Sequence, residues 1–204
     1  MAGRRLYLCT ADRPDLESFL SACIEGGVDL VQLREKRLDD RALLARAAVA
    51  REVCGPYGVP FVLNDRPDLA LACGADGVHV GQDDVFPEMA RRIMGPEAVV
   101  GLSTHAPAEW DATGPEPVDY LSAGPVSPTP TKPGRPGTGL AYLEYVAARA
   151  TKPWFVTGGA TPETIPAMAA AGARRFVVVR YLTESDDPAA GAKRLRAAID
   201  QYWD

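Results

Sequence analysis

The chain has 204 residues, 47% of them hydrophobic and 24% charged, and carries a net charge of -5. That length buries one sizeable core and is short for two, and the acidic balance excludes a general attraction to nucleic acid or to an anionic membrane surface. Any bound anion must therefore meet a local basic site.

In chain order, eight short apolar runs alternate with helical patterns. RLYLCT comes first, where no secretory core with a cleavage site is present, and VDLVQLRE follows. A helical stretch from Asp39 to Val53 starts with Asp39 as a capping residue. PFVLND, DGVHVGQ, AVVGLSTH and VDYLSAGPV come next, and then a helical stretch from Leu140 to Ala150. PWFVTGGA leads to a helix expected over Pro162 to Ala171, with Thr161 as its cap and proline at its first position. FVVVRYL is the eighth run, and Pro188 to Tyr202 is the last helix. No run reaches the ~20 apolar residues of a membrane span, so a cytoplasmic chain is expected. The cysteines at 9, 23, 54 and 73 lack zinc-ligand spacings and read as buried free thiols.

Near-continuous apolar strands imply burial on both faces, as in a parallel sheet wrapped by helices. Eight strand-then-helix repeats predict one closed (β/α)8 barrel over residues 1–204. The alternative, a doubly wound open sheet, has less support, because no G-x-G-x-x-G follows the first strand.

SPTPTKPGRPGTG, Ser127 to Gly139, has the composition of a linker. Cutting there would leave two strands to build a covered sheet, too few, so the segment is expected to be a mobile loop between strand six and helix six. In such barrels that is the face that carries the active site.

The strand ends carry the polar chemistry. Gln32, Arg34 and Lys36 follow strand two, Asn64 and Asp65 strand three, Asp84 strand four, and Ser103 and His105 strand five; Thr129, Thr131 and Lys132 follow strand six. Arg34, Lys36 and Lys132 suit a highly charged anion. Asp65 and Asp84 suit a hard divalent cation held between protein and phosphate oxygens, with structural salt bridges as the competing reading. Gly158-Gly159 offers backbone N–H groups after strand seven, where many barrels bind a phosphate. His79, in mid-strand, reads as a satisfied barrel-interior histidine, and no nucleophile–histidine arrangement is evident.

QLREK, LNDR, DGVHVGQDD, GLSTH, GPVSPTPTK and the glycine pair resemble, in order and over nearly the whole chain, the signature blocks of the thiamine phosphate synthase family. The resemblance implies a (β/α)8 enzyme that joins hydroxymethylpyrimidine diphosphate to a thiazole phosphate and releases pyrophosphate with Mg2+. It implies that Gln32, Arg34, Lys36, Asn64, Ser103 and Lys132 meet the pyrimidine diphosphate and that Asp65 and Asp84 hold the magnesium. Thr129, Thr131, Gly159, Val179 and Arg180 are implied for the thiazole phosphate, Arg180 standing where many members carry serine. A related barrel that isomerises the thiazole phosphate and a non-catalytic phosphate-binding regulatory barrel are the alternatives. The expected partners are these small molecules, with no nucleic acid and no membrane; a homo-oligomer is left open.

Overall fold

The computed structural model describes residues 1, 3–128 and 136–203. Eight parallel strands close into a barrel in sequence order: β1 (Leu6–Thr10), β2 (Leu30–Leu33), β3 (Phe61–Asn64), β4 (Gly77–Val80), β5 (Val99–Thr104), β6 (Tyr120–Ala123), β7 (Trp154–Val156) and β8 (Phe176–Val178). β8 pairs with β1 through Leu6 and Phe176, which removes both sheet edges.

Around them run α1 (Leu16–Glu25), α2 (Asp40–Cys54), α3 (Pro67–Cys73), α4 (Pro87–Met94), α5 (Pro107–Ala112), α6 (Gly139–Ala147), α7 (Ile165–Ala170), α8 (Arg180–Thr183) and α9 (Pro188–Asp200). The expected cap of α2 is present: the Asp39 carboxylate accepts from the Ala42 N–H at 2.9 Å. Leu43, Ala47, Ala50 and Cys54, at near-helical spacing, face the barrel. Cys9, Cys23 and Cys54 are buried and Cys73 is half-buried.

Two expectations are corrected. Thr161 opens a hydrogen-bonded turn, its Oγ1 accepting from the Thr164 N–H at 3.3 Å, and the regular helix starts only at Ile165. The run FVVVRYL is not one strand, because its last residues, from Arg180, turn into α8. Apolar composition alone cannot separate a short strand from a short buried helix.

Two apolar regions result. The larger lies between strands and helices; the smaller fills the lumen with Tyr7, Leu30, Val62, Tyr120 and Phe155. The Tyr7, Tyr120 and Phe155 rings meet edge to face, with centroids 5.3 to 5.9 Å apart. The lumen is thus plugged at this layer, and space for a ligand lies above it, at the C-terminal strand ends.

Candidate active site

Above the plug opens a cavity of about 710 Å3, within the range of small-molecule sites. The structure brings to it every described residue that the sequence singled out as a ligand. Gln32, Arg34 and Lys36 line it from β2 and its loop, Asn64 and Asp65 from the end of β3, and Asp84 and Ser103 from the ends of β4 and β5. Gly158 and Gly159, and then Val179 and Arg180, line it from the seventh and eighth strand ends. Thr129, Thr131 and Lys132 lie outside the described residues.

The Ser127 to Gly139 segment has described feet. Thr138 N–H donates to the Pro125 carbonyl at 2.8 Å and Gly139 N–H to that of Val126 at 3.1 Å, while Val126 N–H bonds to Thr157 of β7. The segment leaves and re-enters the barrel at one point, as a βα loop does and a linker between domains does not.

The charges are arranged unequally. Lys36 Nζ lies 2.8 Å from Asp65 Oδ2, so the cation and one of the expected metal ligands face each other here. Burial pushes the Asp65 carboxyl above its ordinary range; Lys36 opposes this, and the adjacent Asp84 adds to it. Asp65 also stands at φ 64°, a left-handed conformation that Asp tolerates better than most residues, with its N–H bonded to the His79 carbonyl at 2.8 Å. Asp84 is turned inward by Gly81, whose N–H donates to its Oδ2 at 2.7 Å. Arg34, half-buried, has no ion-pair or hydrogen-bond partner for its guanidinium among the described residues. A half-buried guanidinium lining a cavity presents donors suited to an anion.

Glu35 does not line the cavity. Although burial opposes ionisation, the N–H groups of Arg37, Lys36 and Asp12 hold its carboxyl below the ordinary range, and this ties the β2 loop to the β1 loop. The two glycines differ as well. A Cβ on Gly158 would fall 2.5 Å from Pro125 Cβ, so that glycine is required by packing, whereas one on Gly159 would meet, among the described residues, only the Ser127 side chain at 3.4 Å. His105 borders the cavity, its Nδ1 2.8 Å from Glu109 Oε2, while Arg180 is exposed at the rim.

The sequence reading missed Tyr7 and Ser122, which line the floor of the cavity together with His79. Their signal was a polar residue at every second position of an otherwise apolar run, as in LYLCT and YLSA, where strand alternation points them into the lumen.

A closed parallel barrel with a floor of buried hydroxyls and a mouth of cations and paired carboxylates is the architecture of a (β/α)8 enzyme with a small-molecule site. The model of the family described as thiamine monophosphate synthase matches residues 6–182. The thiamine-phosphate synthase of Thermobifida fusca (strain YX) is 50% identical over 205 residues, covering 98% of this chain and 94% of its own. That of Mycobacterium sp. (strain KMS) is 47% identical with the same coverage. The thiamine phosphate pyrophosphorylase structure from Pyrococcus furiosus superposes with a TM-score of 0.88 at 28% identity, covering 98% of this chain and 97% of that one. The chain belongs to the thiamine monophosphate synthase family and is a transferase of thiamine biosynthesis. No helix among the described residues is long and apolar enough to cross a membrane.

Proposed function

We propose that the protein condenses 4-amino-5-hydroxymethyl-2-methylpyrimidine diphosphate with hydroxyethylthiazole phosphate, giving thiamine phosphate and pyrophosphate. The observation that carries this reading is the juxtaposition of the unpaired Arg34 with the Lys36, Asp65 and Asp84 group at one rim of the cavity. A diphosphate needs several cations, and no monophosphate would call for two carboxylates among them.

Arg34, Lys36 and, from the sixth strand's loop, Lys132 bind the diphosphate. Gln32, Asn64 and Ser103 orient the pyrimidine above the lumen plug. The thiazole phosphate takes the opposite rim, at Gly159, Val179 and Arg180, with Thr129 and Thr131 contributing from the sixth loop. The bond from the pyrimidine methylene carbon to oxygen breaks, and its electron pair leaves with pyrophosphate. The electron-rich aminopyrimidine stabilises the cation left behind, and the thiazole nitrogen lone pair forms the new C–N bond. No proton leaves the nucleophile, so no general base is required. The residues' task is to hold developing negative charge on the leaving group.

Asp65 and Asp84 fit a hard divalent cation. They are adjacent carboxylates, one half-buried and pushed toward its neutral form first by burial and then by its neighbour, and a bound cation would favour the ionised form of both. Mg2+ held there supplies charge neutralisation to the departing diphosphate. Lys36, on a flexible stem, is within reach of both Asp65 and a diphosphate in the cavity.

The test is incubation with both substrates and Mg2+, following pyrophosphate and thiamine phosphate together. Equal amounts of both, abolished by chelation, are expected; neither product appearing overturns the reading. The isomerase alternative differs by consuming the thiazole compound alone.

A further inference from the structure

Beneath the cavity, polar groups from five strands form one unbroken hydrogen-bonded chain. Gln32 Nε2 donates to Tyr7 OH. Tyr7 OH lies 2.8 Å from Tyr120 OH, Tyr120 OH lies 2.9 Å from His79 Nδ1, and His79 Nε2 lies 2.9 Å from Ser103 Oγ. Cys9 Sγ closes the far end on Gln32 Oε1 at 3.4 Å, and Ser122 Oγ adds a contact to Ser103 Oγ at 3.4 Å. The tyrosine, histidine, glutamine and serine members are all buried. The barrel register makes the chain possible. His79, Gly101 and Tyr120 occupy one row across β4, β5 and β6. Without a side chain at Gly101 the imidazole and phenol stack over it, with centroids 5.4 Å apart; a Cβ there would fall 2.2 Å from Tyr120 Cζ and 2.5 Å from His79 Nδ1.

Each phenol has one proton, so with a neutral imidazole the chain has two self-consistent polarities. In the first, Gln32 donates to Tyr7, Tyr7 to Tyr120 and Tyr120 to His79 Nδ1. The imidazole proton then sits on Nε2 and donates to Ser103 Oγ. With the Ser122 hydroxyl on its other lone pair, Ser103 turns its own O–H into the cavity. In the second polarity every bond reverses: Gln32 presents its carbonyl to Tyr7, and Ser103 spends its proton on His79. The observed Gln32 orientation, with Cys9 S–H donating to its carbonyl, selects the first. Burial keeps both phenols protonated, well above the ordinary tyrosine range, so neither becomes an acceptor at both ends.

We infer that this Gln32–Tyr7–Tyr120–His79–Ser103 chain is a specificity device that fixes Gln32 as a paired donor and acceptor and Ser103 as a donor toward the ligand. The inference rests on the proposed aminopyrimidine substrate. That ring offers an amino donor beside a ring-nitrogen acceptor at one edge and a second acceptor nitrogen elsewhere. The first polarity matches all three; the second sets a Ser103 lone pair against a ring nitrogen, with no proton between them. His79 and Tyr120 are thus positioning residues that act through Ser103 and Gln32.

The chain has two histidines in all, so nitrogen-15 NMR of histidine-labelled protein reads His79 directly, with the His105→Gln variant giving the assignment. A neutral ring protonated on Nε2 is expected, and a proton on Nδ1 overturns the inference without reference to any activity. Tyr120→Phe keeps the ring and cuts the chain. It should raise the Michaelis constant for the pyrimidine diphosphate about tenfold, the scale of one neutral hydrogen bond, leave that for the thiazole phosphate unchanged, and mix the His79 tautomers. Equal change in both constants, or none in either, overturns it. If wild type makes no thiamine phosphate, the functional reading fails instead, while the NMR result still decides the polarity.

Discussion

The aspartates at the two ends of the barrel are handled in opposite ways. At the N-terminal end, Asp29, Asp76 and Asp119 each stand one residue before an even-numbered strand, and each accepts a backbone N–H from the start of the strand beside it. Asp29 takes those of Arg5 and Leu6, Asp76 that of Phe61, and Asp119 that of Val100. Asp29 and Asp119 are further held by Arg196 at 2.9 Å and Arg91 at 2.6 Å. At the C-terminal end, Asp65 and Asp84 lie beside one another, and Asp65 is answered by one half-exposed lysine. The same side chain is met by backbone donors at one end, although burial still pushes the Asp29 carboxyl above its ordinary range, while at the other Asp65 is left with one lysine and an adjacent carboxylate. Unsatisfied charge costs stability, and it is also what a ligand can bind.

The largest expected effect comes from the top. Asp84→Ala or Asp65→Asn, the latter suited to the left-handed backbone at position 65, should cut turnover about a hundredfold or more, the scale of removing one electrostatic contact to developing charge, while the melting temperature falls little or not at all. Steady-state rates at saturating Mg2+ beside a thermal melt decide it, and full turnover in both variants ends the metal assignment.

The bottom should show the mirror image. Asp29→Ala strips partners from two backbone donors and leaves Arg196 without this carboxylate, at a cost of about 3 kcal/mol in denaturant unfolding. Its turnover per folded molecule should match wild type; a kinetic defect as large as that of the top variants would erase the contrast.

A finer test uses pH. An acid whose folded-state pKa is raised destabilises the fold when ionised; the cost is absent below the unfolded value and develops as pH rises through the raised one. In the absence of Mg2+, Asp65→Asn should therefore melt higher than wild type at neutral pH and equal to it near pH 3, below the ordinary value of 3.8. Melts at the two pH values measure the sign.

The smallest effect is expected at the rim. Arg180 is exposed, so solvent screens any contact it makes with the thiazole phosphate, and Arg180→Ser should raise that Michaelis constant only about threefold. A rise of a hundredfold would move Arg180 from the rim into the site.

Local pattern determined much of this molecule. Runs such as PFVLND and AVVGLSTH announce strands because alternation and apolar content are properties of neighbouring residues, and Asp39 caps α2 because its partner, Ala42, is three residues away. Eight such repeats leave few ways to close a sheet, so the strand ends, and with them the cavity residues from Gln32 to Arg180, were legible as one face. What needed the tertiary structure is everything set by register between strands. His79 reaches Tyr120 across 41 residues and Ser103 across 24, over a glycine that sequence alone does not mark as a spacer. Nor could it show that Lys36 turns to Asp65, that Gly158 is filled by Pro125, or that Arg180 opens a helix. A residue's type and its neighbours fix its local geometry, but which group it meets is decided only when the barrel closes and the rows of adjacent strands align.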